Sequence, residues 1–274
     1  MENFNAKRFG AYLVSDIKYV WSRCWISLAV VSSMPLIQYF FNGLFRILFG
    51  ESWSGQGYPV RMVIFAILLV TVCLVFPAKA YGHVTDRRSG SDFVLIPVST
   101  LEKTLSMLIN ACILIPAVFL CGYGLMDYII CLCDSSCGAP VFDFSVIRSL
   151  VDRVSAPDAL RGSLLALLNP AIYIDDVIQL ILIFLLGAVC FKRGKVSKTI
   201  LSYIVVSIVI SMIFTPIMKC MIGSLSVTPD NVDLVLEKFK FIITHPALVD
   251  TISDTVTNLA LSVAIFFRVK KIKF

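Results

Sequence analysis

Val63-Ile64-Phe65-Ala66-Ile67-Leu68-Leu69-Val70 is an unbroken apolar run without charge, glycine or proline. It lies inside a longer apolar segment, residues 60–81, and a helix of about 20 residues crosses the roughly 30 Å core of a bilayer. Five further segments share this character, at about 25–47, 104–126, 171–191, 199–221 and 250–267. The pattern predicts an all-α membrane protein with six transmembrane helices.

The composition places the chain outside the soluble globular class. Of its 274 residues, 58% are apolar and only 15% charged, and the mean hydropathy is +0.88. The net charge of +6 comes from short basic clusters at the ends of apolar runs, not from one basic face. We therefore expect the chain to contact membrane lipid and not nucleic acid. Residues 1–274 are predicted to form a single transmembrane domain.

The basic clusters also predict the orientation of the chain. Lys and Arg are concentrated at residues 7–23, 79–103, 192–198 and 268–273. Because Lys and Arg favour the cytoplasmic side of membrane proteins, this distribution predicts six spans with both termini in the cytoplasm. Residues 1–25 carry scattered charges and bulky aromatic side chains and no small-residue cleavage site, so the first span is expected to remain in the mature protein.

Residues 1–24 are predicted to form an interfacial amphipathic helix before the first span. One helical face carries apolar and aromatic side chains, namely Phe9, Tyr12, Leu13, Ile17, Val20, Trp21, Cys24 and Trp25. Pro35, Pro116 and Pro216 lie inside the predicted spans one, three and five, where we expect each to kink its helix.

The two longer outside loops are predicted to hold short external helices, at residues 141–169 and 230–244. Near them, Cys131, Cys133 and Cys137 could form a disulfide or remain thiols. Their C-x-C-x3-C spacing fits no standard zinc pattern, and no histidine is nearby. No metal site is predicted.

The loop between the second and third spans runs from Tyr81 to Lys103. A charged turn comes first, followed by an apolar run that ends at Pro97. Ser99 then stands three residues before Glu102, the spacing of a capping box that begins a helix. Taken alone, the pattern indicates a solvated loop with stop-transfer charges and a well-capped helix.

This loop resembles that between spans two and three of type-2 ABC exporter permeases, particularly a branch common in Bacteroidetes. The likeness rests on the charged Gly-Ser stretch and the following Pro97-Val98-Ser99-Thr100-Leu101-Glu102-Lys103. A second match is Leu186-Gly187-Ala188-Val189-Cys190-Phe191-Lys192-Arg193-Gly194-Lys195 with the following Lys198-Thr199-Ile200-Leu201. The order of interfacial helix, six spans and basic C-terminus extends the resemblance over nearly the whole chain.

The resemblance implies a permease subunit in the bacterial cytoplasmic membrane. Its loop would dock on a separate ATPase subunit, which binds ATP and Mg²⁺, and a second permease subunit, identical or related, would complete the transporter. The docking candidates would be Asp86, Arg87, Arg88, Ser89 and Phe93, with Glu102 and Lys103 at the hinge where span three begins.

Catalysis on this chain itself is not expected. The segment from Gly187 to Lys195 lacks the spacing of a P-loop, so no ATP site is predicted. His83 and His245 are the only histidines and lie outside the spans, which argues against zinc and Ser-His chemistry. A two-aspartate intramembrane protease using Asp176 and Asp254 lacks any supporting motif around these residues.

Four ionisable residues near the outer ends of spans are candidates for a substrate pathway, namely Asp175, Asp176, Lys219 and Asp254. Acids in a first helical turn also favour the helix dipole at a wet interface, and this interpretation is preferred. Two other functions remain open, a secondary transporter or channel and a non-catalytic membrane scaffold. No inverted repeat supports the former, and the sequence does not specify a substrate.

Overall fold

The structure, a computed structural model, describes residues 4–50, 58–85, 90–134, 137, 140–142, 170–224 and 246–272. Across these ranges the chain is helical and contains no strand. The helices are α1 (Ala6–Ser32), α2 (Met34–Phe49), α3 (Tyr58–Tyr81), α4 (Gly90–Leu95), α5 (Thr100–Ile109), α6 (Ile115–Cys133), α7 (Pro170–Cys190), α8 (Lys195–Ser224) and α9 (Pro246–Lys270). A 3-10 turn (Gly82–Thr85) follows α3, and a π-helical segment (Asn110–Leu114) joins α5 to α6.

Within the described ranges, four helical segments are long and apolar enough to cross a membrane. They are Ala6–Leu48, Val60–Thr85, Thr100–Cys133 and Lys195–Ile213. The predictions of an all-helical chain and of helices able to span a membrane are confirmed for the described residues. The stretches predicted as spans four and six are helical too, as α7 and α9, while the count of six spans and the interfacial position of the N-terminal helix stay predictions. Residues 143–169 and 225–245, which hold most of the predicted external helices, lie outside the described part of the chain.

Two of the three prolines predicted to kink a span lie directly after a break or a change of geometry in the helix. α1 continues past residue 24 without a break and ends at Ser32, and Pro35 lies in the first turn of α2. Pro116 lies in the first turn of α6, directly after the π-helical segment. Since proline has no N–H to donate, it interrupts helical hydrogen bonding, and the distortions just before Pro35 and Pro116 are of the kind that accompanies this. Pro216 does lie inside α8, as predicted.

The core is formed around α7, which packs against α3 and α9. α8 contacts α7 near its start, where a side chain at Gly187 would clash with Thr199. Farther along α8, residues 201–213 are all exposed, although ten of these thirteen residues are apolar or aromatic and the other three are serines. An apolar helix exposed on every side suits contact with lipid, so this part of α8 fits a membrane protein.

Candidate functional site

One end of the helical bundle brings together all four segments where basic residues cluster. Arg8 in α1 pairs with Glu102 in α5, which joins the N-terminal segment to the loop before α5. The hydroxyl of Thr85, after α3, donates to the carbonyl oxygen of Phe191, after α7, at 3.2 Å. Arg268 of α9 donates to the carbonyl oxygen of Cys190 at 3.4 Å. The packing therefore groups at one end the segments whose charges predict a common side of the membrane.

The same contacts join the two segments that carry the family resemblance. Besides the Thr85 contact with Phe191, the Lys195 ammonium group at the start of α8 donates to the carbonyl oxygen of Gly82. The turn after α3 is thus attached to the junction of α7 and α8. Asp86, Arg87, Arg88 and Ser89, the principal docking candidates, follow this turn directly and lie outside the described residues.

Glu102 lies at the centre of this end of the molecule, and its side chain is 0% exposed. The predicted capping box is confirmed: the Glu102 N–H donates to Ser99 Oγ at 3.3 Å, and the Ser99 N–H donates to Glu102 Oε2 at 3.0 Å. Arg8 adds two bonds of 3.0 Å, from Nε to Oε2 and from Nη2 to Oε1. The Asn5 N–H donates to Oε1 at 2.9 Å. One carboxylate therefore caps α5 and also holds the start of α1.

Lys103 and Phe93 attach α4 to the first turn of α5. The Lys103 ammonium group donates to the Phe93 carbonyl oxygen at 2.7 Å and lies 5.0 Å from the centre of its ring. Both side chains are buried within the chain. Phe93, one of the docking candidates, is buried within this chain, and its contact with a partner subunit stays a prediction.

A buried polar cluster lies one to three turns farther into the bundle. Three neutral groups donate to Asp16 Oδ2: the Tyr81 hydroxyl at 2.9 Å, the Ser106 hydroxyl at 2.5 Å and the Asn110 amide at 2.9 Å. The Asn110 amide also donates to the Tyr81 hydroxyl oxygen at 2.9 Å. Asn110 begins the π-helical segment, a local geometry that often occurs at functional sites. The cluster joins α1, α3 and α5, and the sequence analysis did not identify it.

The opposite end contains a buried ion pair that the sequence analysis also missed. Arg61 of α3 lies 2.8 Å from Asp127 of α6, with side chains 5% and 1% exposed. Arg61 also donates to the Cys137 carbonyl oxygen at 2.7 Å and to Cys131 Sγ at 2.9 Å. The Val141 N–H donates to Asp127 Oδ2 at 2.6 Å. The pair thus attaches the segment after α6 to the bundle.

The three cysteines of this region do not form a disulfide. Cys131, Cys133 and Cys137 are all described, and each retains its thiol. Burial raises the pKa of the Cys137 thiol above its usual value, with a smaller contribution from the neighbouring Asp134. Within the described ranges, no group of His, Cys, Asp and Glu side chains could hold a metal ion.

The structure describes the side chains of three of the four candidate pathway residues, namely Asp175, Asp176 and Asp254. Asp176 is exposed and Asp175 half-buried in α7, and the Asp175 carbonyl oxygen accepts a 3.4 Å bond from the Asn258 amide of α9. Asp254 is half-buried in α9. The side chain of Lys219 lies outside the described part. The assignment of these residues to a pathway or to the interface stays a prediction.

A comparison of the chain with known protein families, curated proteins and solved structures finds no match.

Proposed function

We propose that the chain is the membrane-spanning permease subunit of an ATP-driven ABC exporter. It lies in the bacterial cytoplasmic membrane with both termini in the cytoplasm and pairs with a second permease subunit. ATP and Mg²⁺ bind a separate ATPase subunit, which docks on the loop between α3 and α5. This chain itself is not an enzyme.

The observation that carries the proposal is the junction at Glu102. A force applied to the loop reaches α5 through the capping box at Ser99 and reaches α1 through Arg8. The turn at Gly82 and Thr85 also reaches α7 and α8 through Phe191 and Lys195. A short loop attached to four helices can couple a movement of the ATPase subunit outside the membrane to a rearrangement of helices within it.

The experiment tests the loop directly. The chain is purified with its candidate ATPase, taken from a neighbouring gene, and the pair is reconstituted in vesicles. We expect Arg87→Glu together with Arg88→Glu to abolish the permease-dependent stimulation of ATP hydrolysis while the purified chain keeps its thermal stability. Charge reversal on the docking surface replaces attraction by repulsion.

A matched double variant is Lys238→Glu with Lys240→Glu, which makes the same charge change in the predicted outer segment. It should leave the stimulation of ATP hydrolysis unchanged. Equal stimulation by the wild-type chain and the Arg87/Arg88 variant would contradict the docking assignment. Failure of any neighbouring ATPase to copurify, with solute movement in its absence, would favour a secondary transporter or channel instead.

A further inference from the structure

An open cavity lies at the end of the bundle that carries the basic segments. It is about 310 Å³ in volume and is formed between the segment before α5 and the C-terminal end of α9. Its lining is Phe93, Leu95, Ile96, Pro97, Val98, Thr100, Lys103, Val269, Lys270 and Ile272. The volume falls at the lower end of the range typical of small-molecule sites, about 300–1,000 Å³.

Among the residues that the structure describes, the lining has two charged side chains, and both are cationic. Lys103 is 7% exposed and is held against Phe93 by its bond to the carbonyl oxygen, so its charge is fixed in place. Lys270 is exposed near the end of α9. The adjacent acid, Glu102, is bonded to Arg8 and does not belong to the lining. The cavity therefore favours an anion.

The apolar part of the lining points to the kind of anion. Leu95 is 77% exposed and Ile96 is 37% exposed, and both lie beside the two lysines. Exposed aliphatic side chains next to a basic recess suit the boundary of a bilayer, where acyl chains meet head groups. A free anion in water would leave these side chains uncovered, whereas a phospholipid would cover them with its chains.

We propose that this cavity binds the phosphate of an anionic phospholipid head group, with Lys103 and Lys270 as its cationic partners. Leu95 and Ile96 contact the upper part of the acyl chains. This site requires that the chain lies in a membrane and does not depend on its being an exporter subunit.

The test measures lipid selectivity at this site. The chain is reconstituted in nanodiscs that contain equal amounts of phosphatidylglycerol and phosphatidylcholine, and the lipids that it retains are counted by native mass spectrometry. We expect the wild-type chain to retain phosphatidylglycerol selectively. Lys270→Gln should lower that selectivity about fivefold, the usual effect of one basic residue near an anionic surface.

The matched control is Lys271→Gln, which removes the same charge one residue away at an exposed position outside the lining. It should retain the wild-type selectivity. Equal selectivity in all three proteins, or none in the wild-type chain, would overturn the proposal. If excess inorganic phosphate displaces phosphatidylglycerol, the cavity binds free phosphate, and the assignment of a phospholipid as its ligand is wrong. Because Lys270 is exposed, equal melting of Lys270→Gln and wild-type chains in phosphatidylcholine excludes misfolding as the cause.

Discussion

Two Arg-carboxylate pairs join distant segments at opposite ends of this bundle, and they differ in their access to solvent. Arg61 and Asp127 are both almost fully buried, with side chains 5% and 1% exposed. In the other pair, Glu102 is 0% exposed but the Arg8 side chain is 35% exposed. Loss of Asp127 leaves a buried guanidinium without an anion, whereas loss of Arg8 leaves a buried carboxylate that still accepts hydrogen bonds from the Asn5 and Ser99 N–H groups. Both pairs join a guanidinium group to a carboxylate. We therefore expect the exposure of the arginine to set the difference in unfolding free energy that is lost when each pair is broken.

The largest effect is expected for Asp127→Ala. The substitution leaves the Arg61 guanidinium buried without its anion, and breaking a buried pair in this way costs about 3–5 kcal/mol. Thermal or denaturant unfolding in detergent measures the loss. The double variant Asp127→Leu with Arg61→Met removes both charges and should recover most of it. If the single and double variants unfold alike, the buried charge is not the cause.

A smaller effect is expected for Arg8→Met at the other end. Glu102 keeps its hydrogen bonds from the Asn5 and Ser99 N–H groups, so only the Arg8 bonds are lost, at about 1.5–3 kcal/mol. The same unfolding assay measures it. Lys7→Met, an exposed neighbour without this contact, should stay within about 0.5 kcal/mol of wild type. A loss at Arg8 as large as that at Asp127 would contradict the comparison.

The junction at Glu102 separates what sequence could predict from what it could not. The bond between Ser99 and Glu102 was predictable because a capping box joins positions three residues apart in one helix. The bond between Arg8 and Glu102 spans 94 residues, and no local pattern encodes it. Helix positions followed the apolar runs closely, since burial in lipid requires long uninterrupted segments. The boundary between the predicted interfacial helix and the first span, near residue 24, lies inside α1, which stays helical to Ser32, shortly before Pro35.

The sequence analysis missed the buried polar contacts of Asp16 and of the Arg61–Asp127 pair for a related reason. Asp16 lies in the segment predicted as an amphipathic helix, outside its apolar face, where a polar residue is expected to meet water. Its partners come from two other helices, and their convergence depends on how α1 packs against α3 and α5. Arg61 and Asp127 each interrupt an apolar segment, and that interruption was the available signal for a polar contact inside the membrane.

The Asp16 cluster extends the comparison to an acid held by neutral donors. Ser106→Ala removes one of the three groups that donate to Asp16 Oδ2, and the other two remain. We expect a loss of about 1 kcal/mol in unfolding free energy, below that for either Arg-carboxylate pair. Ser22→Ala, on the exposed side of α1, should have no measurable effect. A loss above that of Asp127→Ala would mean that the cluster, and not the ion pair, dominates the stability of the bundle.

The smallest change is expected in thiol reactivity, where the fold stays intact. Cys133 is exposed, while Cys137 is buried and its carbonyl oxygen accepts a hydrogen bond from Arg61. Burial raises the pKa of the Cys137 thiol, so less of the reactive thiolate is present at neutral pH.

In variants that retain a single cysteine, a soluble maleimide should label Cys133 faster than Cys137, and labelling of Cys137 should accelerate as the pH rises. Asp127→Asn weakens the attachment at Arg61 and Val141 and should speed the labelling of Cys137 while leaving Cys133 unchanged. Equal rates at both cysteines in the wild-type background would show that the segment after α6 is not held by the buried pair. The buried pair of Arg61 and Asp127 would then contribute to the stability of the bundle without holding the segment after α6 in place.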